Sequence, residues 1–544
     1  MPEKYDYIIV GSGSAGAVIA NRLTETSRTR VLLLEAGGPD NNPLLSMPLA
    51  FRTVFSRPAY SWNYMSEPES GLGGRRLPIP RGRTLGGTSS INAMIAIRGN
   101  SRDFDQWAES GLQGWGYQDV LPYFRRLERS WRGDNVYHGG SGRVEITQMT
   151  SPDMLYEPLR KAAESIGIRS NDDPNGQSQD GISRMEATIG GGYRSSTSRA
   201  YLKDARKRSN LTVLTKAVAS KIILEGVRAI GIEYVRNGFR ETSFVGKEII
   251  VSAGSYNSPQ LLMLSGIGPA EHLREKGIVP VVDLPGVGRN LSEHPNIIMA
   301  FGTPGKLGYT KFLRFDRAAM AVAQWFLWHS GPFATNGAAA NIFLRTRPEC
   351  DRPDMQIICM PVNNTATLWF PGVRPQEIVG LSARLGALHP KSRGAVELRS
   401  SDPAESPRIS FNMFSERDDL ATMVAGVKLC REIYMALHRD GIVTEEILPG
   451  SQVQTDQDIE EFIRENAGHR SHPVGTCKMG TDRMSVVDEQ LRVKGIAGLR
   501  IADASIMPKL PSGNTNLPSI MIGEKASDLL KGKLRYDSEG AGRA

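Results

Sequence analysis

Residues 5–23 read YDYIIVGSGSAGAVIANRL. The apolar run Tyr5–Val10 predicts a buried parallel strand, and Ala15–Leu23 follows it with helical spacing. Val31–Leu34 is a second short apolar run, so the three segments together predict a βαβ unit. Between strand and helix stand Gly11, Gly13 and Gly16 in the pattern GxGxxG, with Ser14 and Ala15 inside the turn. In such a turn the first glycine allows the tight bend and the second lets backbone approach a pyrophosphate. The third lets helix and strand pack closely. The helix N-terminus then presents N–H groups and its positive dipole end to the phosphates. Glu35 closes the second strand about twenty residues on, where an acid accepts hydrogen bonds from ribose hydroxyls. A glycine-rich turn without a ligand would leave Glu35 without a reason, so a dinucleotide site is expected.

The rest of the chain divides around this unit. Pro39–Arg83 is rich in Pro, Gly, Ser and Arg and reads as extended chain lying over the first unit and its cofactor. Leu211–Val213, Ala217–Leu224 and Ala229–Tyr234 predict strands with hairpin-like breaks. Glu248–Val251 predicts a strand running into the helix Pro259–Leu264. After Asn290 the composition changes: helical patterns at Ala318–Trp328 and Asp418–Leu437 mix with strand-like Met355–Pro361 and Ala395–Leu398. Leu499–Ala502 and Leu517–Leu530 then read as a strand and a closing helix. The expected division is a nucleotide-binding domain from 1–143, 191–310 and 468–535, and a second domain from 144–190 and 311–467. A disordered tail is expected over 536–544.

At 544 residues, two domains are the reasonable prior. Hydrophobic content of 40% and charged content of 23% are those of an ordinary globular protein. A net charge of +8 invites a nucleic-acid reading, but the arginines are scattered and do not interleave with aromatics, so no nucleic-acid partner is expected. Cys350, Cys359, Cys430 and Cys477 form no CxxC pair and no metal-type spacing with histidine, so no metal is expected either. Free thiols, the absence of a charged-then-apolar leader and the absence of a long apolar run make the cytoplasm the expected address.

Two further stretches bear on the cofactor and its chemistry. GRTLGGTSSIN, residues 82–92, is a loop of small residues and one arginine that can lie flat against a ring system and a pyrophosphate. Near the C-terminus, SHPVGTCKMG (471–480) carries His472 and GNTNLPSIMIGEK (513–525) carries Asn514. Taken alone, His472 could be a structural loop histidine and Asn514 a turn residue, since Ser-Gly-Asn is turn chemistry.

The segment 82–105, GRTLGGTSSINAMIAIRGNSRDFD, resembles the first signature of the glucose–methanol–choline (GMC) oxidoreductases. GSYNSPQLLMLSGIG (254–268) resembles the second. SHPVGTCKMG, Val486–Asp488 and RIADASIMP (500–508) also fit, so the resemblance spans nearly the whole chain in order. It is nearest in character to a bacterial branch that holds choline, alcohol and sorbose dehydrogenases. The resemblance implies an α/β chain: a Rossmann-like FAD-binding domain of discontinuous segments, and an α+β substrate domain whose sheet is backed by helices. It places Arg83, Thr88, Asn92 and Ala93 along the FAD, Ala219 at the adenine end, and Asp503, Ala504 and Thr515 near the ribityl chain and flavin ring. Some members attach FAD through a histidine where this chain has Ile91, so noncovalent FAD is expected.

The same resemblance assigns His472 as the base that takes the alcohol proton, and Asn514 as the second member of the pair. An imidazole with a pKa near ~6.5 suits the first task. An asparagine amide can donate to the developing alkoxide. The expected reaction is oxidation of an alcohol by hydride transfer to flavin, with electrons passed to a quinone or another acceptor. An oxidase using dioxygen is the near alternative; a hydroxynitrile lyase with redox-idle flavin, or a flavin-binding protein without turnover, is more remote. In choline-type relatives a glutamate holds the trimethylammonium group, and matching TNGAAANIF (335–343) puts Ala339 there. A neutral primary alcohol or polyol is therefore expected over choline. Trp325, Phe326, Trp328, Phe333, Trp369 and Phe370 could wall an apolar entrance or be second-domain core. Ala318–Trp328 could pack as core or rest on a membrane surface, with Arg314 and Arg317 beside it.

Overall fold

The computed structural model describes residues 4–305, 307–363, 366–374 and 380–533. The expected tail at 536–544 lies outside the described residues, as do 534 and 535. The βαβ unit is present: strand Lys4–Val10, helix Gly16–Leu23 and strand Val31–Leu34. The two strands run parallel with Ile8 opposite Leu32 and Val10 opposite Leu34. Ile8, Ile9, Val31 and Leu33 are fully buried, which is why these strands read as continuous apolar runs rather than alternating ones.

They belong to a seven-stranded sheet in the order Leu211–Leu214, Val31–Leu34, Lys4–Val10, Phe239–Val251, Arg228–Arg236 and Ala217–Glu225. Leu499–Ile501, from the far end of the chain, adds in parallel beside Phe239–Val251. The helix Asn516–Leu530 packs on Gly16–Leu23. Arg22 of the first helix makes an ion pair with Glu524 of the last at 2.8 Å. The C-terminal segment is thereby brought back to the glycine-rich turn.

A second seven-stranded sheet is antiparallel: Glu446–Leu448, Pro295–Gly302, Gly380–Ala387, Met355–Met360, Ala340–Leu344 and Gly181–Arg184, with Gly468–His469 pairing onto Pro295–Gly302. One face is backed by the helix Arg417–Arg439. Pro295–Gly302 falls inside the 191–310 segment expected for the nucleotide-binding domain, yet it pairs within this second sheet. Its sequence, PNIIMAFG, is a short apolar run that periodicity alone cannot assign to one sheet or the other.

Pro39–Arg83 is less extended than its composition suggests. It holds the short helices Pro43–Ser46 and Phe51–Val54 and the strand pair Tyr64–Met65 and Pro78–Ile79. The helix Phe315–Trp328 packs inward through Ala318, Ala321 and Trp325 while Phe315, Met320, Leu327 and Trp328 stay exposed. No helix among the described residues is long and apolar enough to cross a membrane.

Candidate functional site

A cavity of about 560 Å³ opens over the glycine-rich turn and runs along the first sheet. Gly11, Gly13, Ser14, Ala15, Glu35, Arg83, Thr88, Ala219, Asp503 and Ala504 line it among the sequence-predicted residues. Gly11 holds φ +99°, and a Cβ there would strike the Ser252 carbonyl. A Cβ on Gly13 would meet no protein atom within 4 Å, so that position faces open space. Gly16 does not line the cavity; a Cβ on it would collide with the Gly11 carbonyl, so its part is to close helix on strand.

Glu35 is buried and accepts from the Ser12 N–H at 3.0 Å, the Ser12 hydroxyl at 2.6 Å and the Gly37 N–H at 2.8 Å. Burial still raises its pKa against these bonds. Both Ser12 bonds fall on Oε2, so it is Oε1 that keeps capacity for a further donor. Asp503 accepts from the Gly254 N–H at 2.8 Å and the Ser258 hydroxyl at 2.6 Å, which joins the second signature segment to the C-terminal one. Arg83 stacks over Trp62 at 4.6 Å.

Asn92, Ala93 and Thr515 are not in the cavity wall. The Asn92 side-chain oxygen accepts from the Met94 N–H at 3.0 Å and from Arg194 at 2.8 Å. The Ala93 carbonyl accepts from Asn336 at 3.0 Å. Thr515 is buried at the start of the last helix. Arg194, which carries no motif, is fully buried and also donates to the carbonyls of Leu45, Ser89 and Asn92. It fixes the 82–92 loop from behind. Trp62, Tyr64 and the Asp402–Ser406 loop complete the cavity wall, and no pattern in the sequence marks them either.

The wall reaches the residues on either side of His472. Arg81 lines the cavity and donates to the Ser471 carbonyl at 2.8 Å, and Ser255 lines it and donates to the Pro473 carbonyl at 2.6 Å. His472 is thus clamped on both sides. Its Nε2 lies 3.1 Å from the Asn514 amide nitrogen, and its Nδ1 lies 2.9 Å from Nδ1 of His294. Nε2 of His294 in turn faces the Leu388 carbonyl at 3.1 Å. Glu293 accepts from the backbone N–H of both histidines, at 3.0 and 2.8 Å. The His469 side chain is mostly buried, 3.6 Å from Glu293.

The chain of ring nitrogens sets the protons. A carbonyl can only accept, so His294 carries its proton on Nε2 and leaves Nδ1 bare. His472 therefore donates from Nδ1, and the lone pair on its own Nε2 accepts from the Asn514 amide. Burial holds the His472 pKa well below the usual histidine range, reinforced by His294, Arg470, Arg81 and His469. An uncharged imidazole with Nε2 unprotonated is a proton acceptor at neutral pH once a substrate hydroxyl takes the place of the amide bond. The Asn514 side-chain oxygen is buried with no hydrogen-bond partner.

The GMC oxidoreductase family models match residues 5–296 for the N-terminal part and 390–523 for the C-terminal part. The oxygen-dependent choline dehydrogenase of Brucella ovis is 44% identical over 531 residues, 97% of this chain and 96% of that protein. Pyridoxine 4-oxidase from Mesorbium loti superposes with a TM-score of 0.86 at 29% identity, covering 98% of this chain and 100% of the other. Formate oxidase of Aspergillus oryzae RIB40 gives a TM-score of 0.89 at 26% identity over 98% and 99%.

Proposed function

The chain belongs to the GMC oxidoreductase family, an FAD-binding family acting on CH–OH donors, and from that membership we propose that it oxidises an alcohol with His472 as the base. The single observation that carries this reading is the proton order fixed by Leu388, His294 and His472. The cavity fits the cofactor: a backbone cradle open at Gly13, an acid at Glu35 and a wall that ends against the residues flanking His472. Gly11–Ala15, Glu35, Arg83, Thr88, Ala219, Asp503 and Ala504 would hold it. Ile91, buried in a small apolar cluster, offers no nucleophile, so attachment is noncovalent. When bound, the flavin supplies the hydride acceptor.

The chain's own part is proton and charge management. His472 accepts the hydroxyl proton at Nε2, and the Asn514 amide donates to the oxygen as negative charge develops. Replacing Asn514 with Ala is expected to lower kcat by about 10²-fold while leaving flavin content unchanged, in line with loss of one oxyanion donor. Stopped-flow reduction of the purified yellow protein checks this. The lowered His472 pKa gives a second expectation. The base is active only when unprotonated, so kcat/KM stays flat from pH 8 down to about 6.5 and declines only below the ordinary histidine range, read from a pH–rate profile.

The electron acceptor is a quinone or another carrier, with dioxygen as the alternative. The speed of reoxidation on readmitting air separates them. The neutral-substrate expectation loses its basis at Ala339, which lies in the second core with its backbone bonded to Cys359 and Met185. That position reports nothing about substrate charge, and the Brucella relative is named for choline. All four cysteines are unpaired, which fits a reducing compartment. The exposed apolar residues of Phe315–Trp328, with Arg317 exposed beside them, suit contact with an anionic lipid surface. Sedimentation with anionic vesicles, lost in the Leu327→Glu/Trp328→Glu variant, is the expected outcome; protein remaining in the supernatant removes that contact.

A further inference from the structure

The two faces of the second sheet do different work. Residues directly opposite each other on neighbouring strands share a face. Met355 and Cys359 belong to the face that meets the Arg417–Arg439 helix: a Cβ on Gly426 would run into the Met355 side chain, and Cys359 lies beside Tyr434. The alternate positions therefore look the other way. They include Asn296, Ile298, Gln356, Ile358 and Arg384, with Arg384 opposite both Ile298 and Ile358. This second face is covered by the segment that carries His472. Arg470 crosses it at Gly386, where a Cβ would strike its guanidinium, and it bonds the Gln356 side chain and the Gln356 and Arg384 carbonyls. Leu388, on the same chain just past that strand, is the carbonyl that orders His294. Arg384 thus stands on the side of the sheet that faces the catalytic pair, about 7 Å along the strand from Gly386.

Among the described residues no carboxylate answers its charge. Among the described residues the Arg384 guanidinium has no hydrogen-bond or ion-pair partner, and the side chains whose charge bears on it, Arg52 and Arg470, are themselves cations. Glu293, the carboxylate beside the pair, is held by the N–H groups of His294 and His472 and turned toward His469. Asn296, on the same face, also has a buried side-chain oxygen without a donor. A half-buried cation beside other cations is repelled by them unless an anion pairs with it. A quaternary ammonium placed here would add to the repulsion.

Resting on the alcohol-oxidation reading above, we propose that Arg384 is the anion subsite of the substrate pocket, and that the substrate is a hydroxy acid whose carboxylate pairs with Arg384 while its hydroxyl meets His472. A planar guanidinium matches a carboxylate with two parallel hydrogen bonds, and such charge-assisted pairs are the strong ones.

The test is anaerobic flavin reduction by the holoenzyme with a series of short ω-hydroxycarboxylates, the matching diols and choline. The expected result is a kcat/KM about 10- to 100-fold higher for the best hydroxy acid than for its diol. Arg384→Met erases that advantage while the diol rate stays within about threefold and flavin content is unchanged. A wild-type ranking with choline or the diols at or above the hydroxy acids overturns the subsite but leaves the alcohol-oxidation reading standing. An Arg384→Met variant that slows acids and diols alike also overturns it. If none of these compounds reduces the flavin, it is the alcohol-oxidation reading itself that fails. The wild-type ranking needs no variant, so a poorly folding substitution leaves the subsite still open to refutation.

Discussion

His472→Ala is expected to purify yellow, with flavin content equal to that of the unaltered protein, and to reduce that flavin about 10³-fold more slowly with any alcohol substrate. The reason lies in the directionality of the ring contacts. Leu388 forces His294 to hold its proton on Nε2, His294 forces His472 to hold its proton on Nδ1, and the lone pair on Nε2 is left beside Asn514. The groups nearby are poorer replacements. Asn514 is an amide, Glu293 takes two backbone N–H groups on one oxygen and turns the other toward His469, and burial holds the His294 pKa well below the histidine range and pushes the Cys477 thiol well above its own. Because His472 does not line the nucleotide cavity, its loss should not release the cofactor. Rapid-mixing spectroscopy with flavin quantified by release checks both halves of this expectation.

Gly13→Leu is expected to give a folded but colourless protein. A Cβ at Gly13 meets nothing within 4 Å, so the protein itself accommodates the side chain. The space it enters is the cavity, at the point where backbone is expected to approach the pyrophosphate. Flavin content should fall by more than tenfold with the circular dichroism spectrum and thermal transition of the apoprotein retained. Gly11→Leu is the contrasting case: its side chain would collide with the Ser252 carbonyl at a φ of +99°, so fold and flavin should be lost together.

These two expectations draw on features of unequal legibility in the sequence. The βαβ unit could be read because fully buried parallel strands are apolar at every position, and Tyr5–Val10 and Val31–Leu34 are nearly so. Gly11, Gly13 and Glu35 followed from their places in that unit. His472 and Asn514 were legible through their segments, which resemble a known family's, and not through spacing. What was not legible is what holds them. His294 lies 178 residues from His472 and Glu293 lies 179, and neither stands in a pattern of its own. Arg194 reads as one scattered arginine among many, yet it is buried and braces the 82–92 loop. Arg384 sits in a largely apolar strand, GLSARLGA, where only it and Ser382 break the apolar pattern, both on one face. Pro295–Gly302 was apolar enough to be placed in either sheet. The Ala339 match failed as a guide to substrate because a nine-residue match among alanines and glycines carries little register information.

Hydride transfer from an alcohol to the flavin, with His472 taking the proton, is the claim on which the rest depends. The direct measurement is the absorbance near ~450 nm of the purified protein, mixed anaerobically with alcohols, diols, hydroxy acids and choline. Bleaching by an alcohol in the unaltered protein, and its near-absence in His472→Ala with the flavin still bound, is the predicted result. Bleaching that proceeds equally fast in His472→Ala, or a flavin that stays oxidised with every alcohol, would contradict it.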